Sequence, residues 1–131
     1  MRIITKNITI PIDGTPTEFR LKKLDAFSGV FLMRLVAKMP EGVGADHLTA
    51  FFLSLSPAEL RSLMTSCLNH AEVLLPAGYI PVMTGEDWSW PELQYDAATC
   101  LKITMEVALW TMKDFFAAGG PGSRPAAEPS P

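Results

Sequence analysis

The chain has 131 residues, enough for one domain with a single hydrophobic core that needs no disulfide or metal. Nonpolar residues make up 48% and charged residues 19%, against roughly 25% charged in an average soluble domain. The formal charge of −3 argues against a nucleic-acid scanner or a polybasic membrane binder. The charge is unevenly placed: residues 1–38 hold seven Lys/Arg against three Asp/Glu, a net of +4, and residues 39–131 hold four against eleven, a net of −7. That split is compatible with head-to-tail self-association, and equally with surface composition alone. Cys67 and Cys100 fall in apolar helical patterns, where buried free thiols in a reducing cytosol are the expectation. The first ten residues lack the apolar core of a secretory signal, and no uninterrupted apolar run approaches the roughly eighteen residues of a membrane span.

In chain order, Arg2–Ile10 mixes β-branched and polar residues. Asp13-Gly14 and Pro16 supply turn chemistry, and "TEFRLKKL" alternates Phe19 and Leu21 against Glu18, Arg20 and Lys22. An N-terminal β-hairpin over 1–24, with a loose turn, is expected. Asp25 reads as the N-cap of a helix carrying Phe27, Val30, Phe31 and Leu35, with Leu32, Met33 and Val36 widening its apolar arc. Pro40, Gly42 and Gly44 mark a loop.

A short helix, "ADHLTAFFLSL", follows. Ser56-Pro57-Ala58-Glu59 then spells a capping box with proline at the first helical position, opening an amphipathic helix through about residue 72 along Leu60, Leu63, Met64, Cys67 and Ala71. Pro76, Gly78, Pro81 and Gly85 break the pattern, and short strands near 72–75 and 79–83 can pair as a second hairpin. Ser89-Trp90-Pro91-Glu92 repeats the cap signature before a long helix that reaches about Ala117, interrupted near Tyr95-Asp96. In it Leu101, Met105, Ala108, Met112 and Phe115/Phe116 form one apolar row, and Ile103, Val107 and Trp110 another. The nonpolar arc exceeds the ~100° a surface helix needs, so this helix is either central or a docking surface. The last thirteen residues, "GGPGSRPAAEPSP", combine proline and glycine with almost no apolar bulk and are expected to stay flexible. The fold expected is α+β, mainly α: one globular domain over 1–118, in which the hairpin precedes a bundle of about four helices packed around Leu63, Met64, Leu101 and Met105, with a flexible tail over 119–131.

No catalytic signature stands out. Cys67 and His70 are three residues apart on one helix, but a structural zinc site needs four ligands, and Cys100 and His47 belong to no pair. A Cys/His nucleophile would also need an orienting group and an oxyanion donor. No cofactor or metal is expected. Gly42-Val43-Gly44 completes neither phosphate-loop pattern. Glu86, Asp87 and Glu92 occupy helix-start positions that favour acidic residues anyway. Arg20, Lys22 and Lys23 make only one short basic strand. Trp88 and Trp90 either close the core beside the last helix or anchor a partner.

With a β-rich start leading into "FRLKKLDAFSGVFLMRLVAKM", a capped middle helix and a last helix ending "ALWTMKDFFAA", the chain resembles the tail assembly chaperones of long-tailed bacteriophages and prophages. The resemblance covers most of residues 17–117 and is clearest at Phe19–Gly29 and Trp110–Phe116. It lies in element order and apolar positions, without invariant catalytic residues. It implies a non-enzymatic protein of the host bacterial cytoplasm that binds the long, helical, aggregation-prone tape measure protein and helps recruit tail tube protein. Many members also have a longer form made by a ribosomal frameshift. Gly119-Gly120-Pro121, encoded GGN-GGN-CCN, permits a slippery run of bases. On this reading Trp110, Phe115 and Phe116 are the expected contact residues, with Phe27 and Phe31 behind them. The alternatives are another phage tail structural or completion protein, and a small cytoplasmic enzyme using Cys67 and His70.

Overall fold

A computed structural model describes residues 3–39 and 47–117, with side chains described through Lys113. The expected loop over 40–44, the expected tail over 119–131 and the side chains of Phe115 and Phe116 lie outside the described residues.

β1 (Thr5–Ile12) and β2 (Thr15–Lys22) form the N-terminal hairpin in full register, from Thr5 opposite Lys22 to Ile12 opposite Thr15. The connection is tighter than expected. Asp13 and Gly14 alone make the turn, both at positive φ (51° and 80°), the conformation that matches a two-residue turn to the twist of its strands.

Three helices follow. Helix α1 (Ala26–Val36) starts where the Asp25 carboxylate accepts from the amides of Phe27 and Ser28. Helix α2 (Leu48–Leu53) buries Leu48 and Phe52. Helix α3 (Pro57–Asn69) carries the capping box: the Ser56 hydroxyl accepts from the Glu59 amide at 3.2 Å, and the Glu59 carboxylate accepts from the Ser56 amide at 3.4 Å. It ends earlier than its apolar periodicity suggests. His70 is its C-cap, and Ala71 opens strand β3 (Ala71–Leu75), which turns back through β4 (Gly78–Pro81).

The expected helical bundle is corrected here. β2 also pairs antiparallel with β3, setting Phe19 opposite Val73 and Leu21 opposite Ala71. The two hairpins therefore join into one four-stranded antiparallel sheet of order β1-β2-β3-β4. The sheet, not a bundle axis, organises the core. Period-two alternation puts Ile10, Phe19, Leu21, Ala71 and Val73 on the inner face, all buried, against α3 and α4. Of the four residues expected at the centre, Leu63 and Met105 are buried, while Met64 and Leu101 are only partly so.

The outer face is polar and linked across all four strands. Glu18 accepts from Asn7 Nδ2 (3.0 Å) and from the Tyr79 hydroxyl, and Arg20 pairs with Glu72 at 2.7 Å while lying 4.0 Å from the centre of the Tyr79 ring. The bond to Glu18 favours the neutral phenol and pushes the Tyr79 pKa up.

Beyond the sheet, β5 (Met83–Thr84) and β6 (Asp87–Trp88) make a small hairpin that local pattern did not announce. A 3₁₀ turn (Pro91–Leu93) then leads to α4 (Ala97–Ala117). The cap expected from Ser89 is not made. Asp96 caps α4 instead, its carboxylate accepting from the Thr99 amide (3.1 Å) and hydroxyl (2.7 Å).

The corner between β2 and α1 locks these parts together. The Lys22 amide donates to the carbonyl of His70, that of Lys23 to Ile4, that of Leu24 to the Thr111 hydroxyl (2.9 Å) and that of Asp25 to His70 Nε2 (3.3 Å). Four consecutive amides thus tie the corner to β1, α3 and α4, none of them left without an acceptor. Among the described residues no helix is long and apolar enough to cross a membrane.

Candidate protein-binding surface

The cysteine and histidine singled out by spacing do not form a dyad. His70 Nδ1 faces the Ser66 carbonyl at 2.7 Å and must carry the proton; Nε2 accepts from the Asp25 amide. With both ring nitrogens committed to backbone groups, the imidazole has no lone pair for a thiol. Cys67 is fully buried, and desolvation pushes its thiol far above the ordinary range. Cys100, which donates weakly to the Leu93 carbonyl, is pushed up to about 11, chiefly by burial and then by Asp96. Both thiols are free and buried. Among the described residues no cluster of three His, Cys, Asp or Glu could hold a metal.

The expected contact residues fall in different settings. Trp110 is half-buried and works within the fold: its indole N–H donates to the Ile4 carbonyl at 3.2 Å, and the ammonium groups of Lys23 (4.7 Å), Lys6 and Lys113 (both 5.4 Å) surround its ring. It pins the start of β1 to α4. Phe31 packs against the core. Phe27, in contrast, is 88% exposed. Val30, one turn on, is exposed as well, and Arg34 extends the same line in the next turn. The helix buries its opposite side through Leu32 and Leu35, so among the described residues nothing covers the Phe27–Val30 stripe.

A second surface, which sequence pattern did not reveal, is a groove of about 520 Å³. Leu60, Met64 and Leu68 of α3 form one wall; Met83 and Trp88 of the β5–β6 hairpin form the other, and Tyr95, Ala97 and Cys100 close the end at the start of α4. Arg61 and Glu86 span the mouth at 3.3 Å, and both are largely solvated. Tyr95 stands at the rim, 93% exposed.

The groove is held open by polar bonds at its back. Asn69, in the last turn of α3, donates from Nδ2 to the Gly85 carbonyl (2.9 Å) and accepts from the Gly85 amide at Oδ1 (2.7 Å). Gly85 sits at φ +64°, a conformation that glycine takes without strain. The Val82 carbonyl accepts from the amides of Ser89 and Trp90, and the Thr84 and Ser89 hydroxyls share a 2.6 Å bond. The tryptophans divide the two roles considered for them: Trp90 meets Phe19 edge to face at 6.1 Å, against the core, and Trp88 lines the groove. The only local signal for this wall was Gly85 followed by two acids, which reads as a turn without saying what the turn packs on.

Comparison with protein families, with curated proteins and with solved structures finds no match. The surface chemistry carries the functional argument. An open groove with an apolar floor, two methionines and a tryptophan in its walls, and an aromatic at its rim, is suited to holding nonpolar side chains of another chain.

Proposed function

We propose that this protein is a phage tail assembly chaperone, a non-enzymatic protein of the host bacterial cytoplasm that binds the tape measure protein and keeps it soluble until it is packed into the tail. The observation that carries the reading is the groove between α3 and the β5–β6 hairpin, preformed and, among the described residues, uncovered. A long amphipathic helix presents nonpolar side chains at i, i+3, i+4 and i+7, and a groove lined by Leu60, Met64, Met83 and Trp88 takes such a row as helix-in-groove recognition. Methionine walls suit a client whose successive segments differ, because the unbranched thioether adapts to many shapes. The resemblance in element order over most of residues 17–117 points to the same class of client. A frameshifted longer form, carrying the contact to tail tube protein beyond Gly119-Gly120-Pro121, fits the same role.

The site proposed for the client differs from the one expected from sequence. Trp110 is engaged inside the fold, so the groove residues Met64 and Trp88 take its place as first contacts. Co-expression with the tape measure protein of the same phage genome tests this. The wild-type chain is expected to move the tape measure protein from the pellet to the soluble fraction and to co-purify with it; Met64→Lys and Trp88→Lys are expected to lose both effects while remaining folded. Equal solubilisation by the wild type and the groove variants would refute the reading.

A further inference from the structure

We infer that the free edge of β1 docks an extended segment of a different protein, which joins the sheet as a fifth, antiparallel strand and sets an acidic side chain beside Lys6 and Lys113. The inference rests on the sheet edge and is independent of the groove and of the client proposed for it.

The backbone supplies the site. The two-residue turn at Asp13-Gly14 makes Ile12 and Thr15 a hydrogen-bonded pair, so Ile10, Ile8 and Lys6 also turn their amides and carbonyls toward β2. The Lys23 amide continues that ladder on the Ile4 carbonyl at 2.9 Å. The alternate residues Thr5, Asn7 and Thr9 therefore direct N–H and C=O away from the sheet; all three are exposed, and no described strand lies beyond them. Proteins ordinarily guard such an edge by keeping it short, bulged or proline-bearing. The opposite edge, β4, is guarded in that way: it has four residues, and of its two outward positions, Tyr79 and Pro81, only Tyr79 has an amide. β1 runs for eight residues in unbroken register, and its proline, Pro11, lies next to the turn.

The side chains specify what the added strand carries. Ile8 and Ile12 are only half-buried at the border of the core, and a strand beside them covers them with nonpolar side chains of its own. Lys6 lies on the same face, two residues before Ile8. Its ammonium is 5.4 Å from the centre of the Trp110 ring, and that of Lys113 is at the same distance. Neither lysine makes an ion pair among the described residues. An inward lysine on an edge strand rejects a wholly nonpolar neighbour and admits one with a carboxylate at that level. The matching segment, antiparallel like every pairing in this sheet, has alternate nonpolar residues facing Ile12, Ile10 and Ile8, then an acid facing Lys6. A second copy of β1 does not meet this pattern, because Thr5–Ile12 contains no acid.

The probe is a synthetic octapeptide, acetylated and amidated, that alternates threonine and valine and ends in glutamate. It is titrated into the full chain without any client, with amide exchange followed by NMR. Binding is expected to slow exchange at Thr5, Asn7 and Thr9 and to leave residues 57–68 and 83–97 unchanged. Thr9→Pro deletes an outward amide that β2 does not use, so it should weaken binding about tenfold with little change in the melting curve. Methylating the peptide's threonine amides, which face β1, should weaken it at least as much on the unaltered protein. Lys6→Glu should reverse the preference between this peptide and one ending in lysine. The inference is overturned by a lack of binding at millimolar peptide, by equal affinity of the wild type for the two peptides, or by binding that the methyl groups leave unaltered. Protection in the groove segments in place of β1 would overturn it too. So would slowed exchange at Thr5, Asn7 and Thr9 that grows with protein concentration in the absence of peptide, since that assigns the edge to a second copy.

Discussion

Thr111→Val isolates one hydrogen bond at the corner where β2 turns into α1. The Thr111 hydroxyl accepts from the Leu24 amide at 2.9 Å, and Leu24 is buried with only 8% of its surface exposed. Valine keeps the volume and the β-branch but cannot accept. The acceptors of the neighbouring amides, the Ile4 carbonyl and His70 Nε2, are already taken by Lys23 and Asp25. Leaving a buried N–H unsatisfied costs about 1–3 kcal/mol. For a domain of this size each kcal/mol moves the midpoint by about 4 °C, so the expected drop is roughly 4–12 °C. Thr111→Ser, which keeps the acceptor, should lose much less. Thermal and urea unfolding followed by circular dichroism measure both variants. A Thr111→Val protein as stable as the wild type would mean that water reaches the Leu24 amide, and that the corner does not depend on the Thr111 hydroxyl.

Three other outcomes follow from the same structure. Gly29 has an ordinary helical φ, and a β-carbon there would meet Thr111 Cγ2 at 3.9 Å, a normal contact; Gly29→Ala should stabilise the chain by about 0.5–1 kcal/mol in urea titrations. Native thiol titration with an aromatic disulfide should leave Cys67 and Cys100 unreacted until denaturant is added, and rapid native labelling of Cys67 would reopen the enzyme reading. Hydrogen bonding by Ser28 lowers the Asp25 pKa below its ordinary 3.8, and the bond to Lys38 lowers that of Glu59 below 4.5. Carboxyls depressed in the folded state contribute stability above their unfolded pKa, and that contribution is lost as pH falls through the folded values. Melting midpoints taken from pH 7 to pH 2 should therefore fall in the acid limb, and less steeply for Asp25→Asn and Glu59→Gln.

Features whose cause is local were legible in the sequence. The Asp13-Gly14 hairpin, the Asp25 cap and the Ser56–Glu59 box each depend on neighbours within a few residues. The pairing of Phe19 with Val73 does not: it joins two hairpins across more than fifty residues, and nothing in either strand names the other as partner. Missing that contact made a sheet protein look like a bundle. The same limit governed the surface. Trp110 at the end of an apolar row looks like an offered side chain until Ile4, Lys6 and Lys23 are brought beside it by the sheet. Phe27 reads like any other residue of a wide nonpolar arc, and only the placement of Leu32 and Leu35 in the core shows that it points away. The groove depends on the Asn69 side chain gripping the Gly85 backbone, a contact that no sequence pattern links.

The central claim is that the groove between α3 and the β5–β6 hairpin receives nonpolar side chains from another chain, and hydrogen–deuterium exchange with and without the tape measure protein tests it most directly. The account predicts that binding slows exchange in residues 57–68 and 83–97 and leaves the amides of β1 unchanged. Protection confined to β1 or to the Trp110 end of α4, with the groove segments exchanging as in the free protein, would contradict it.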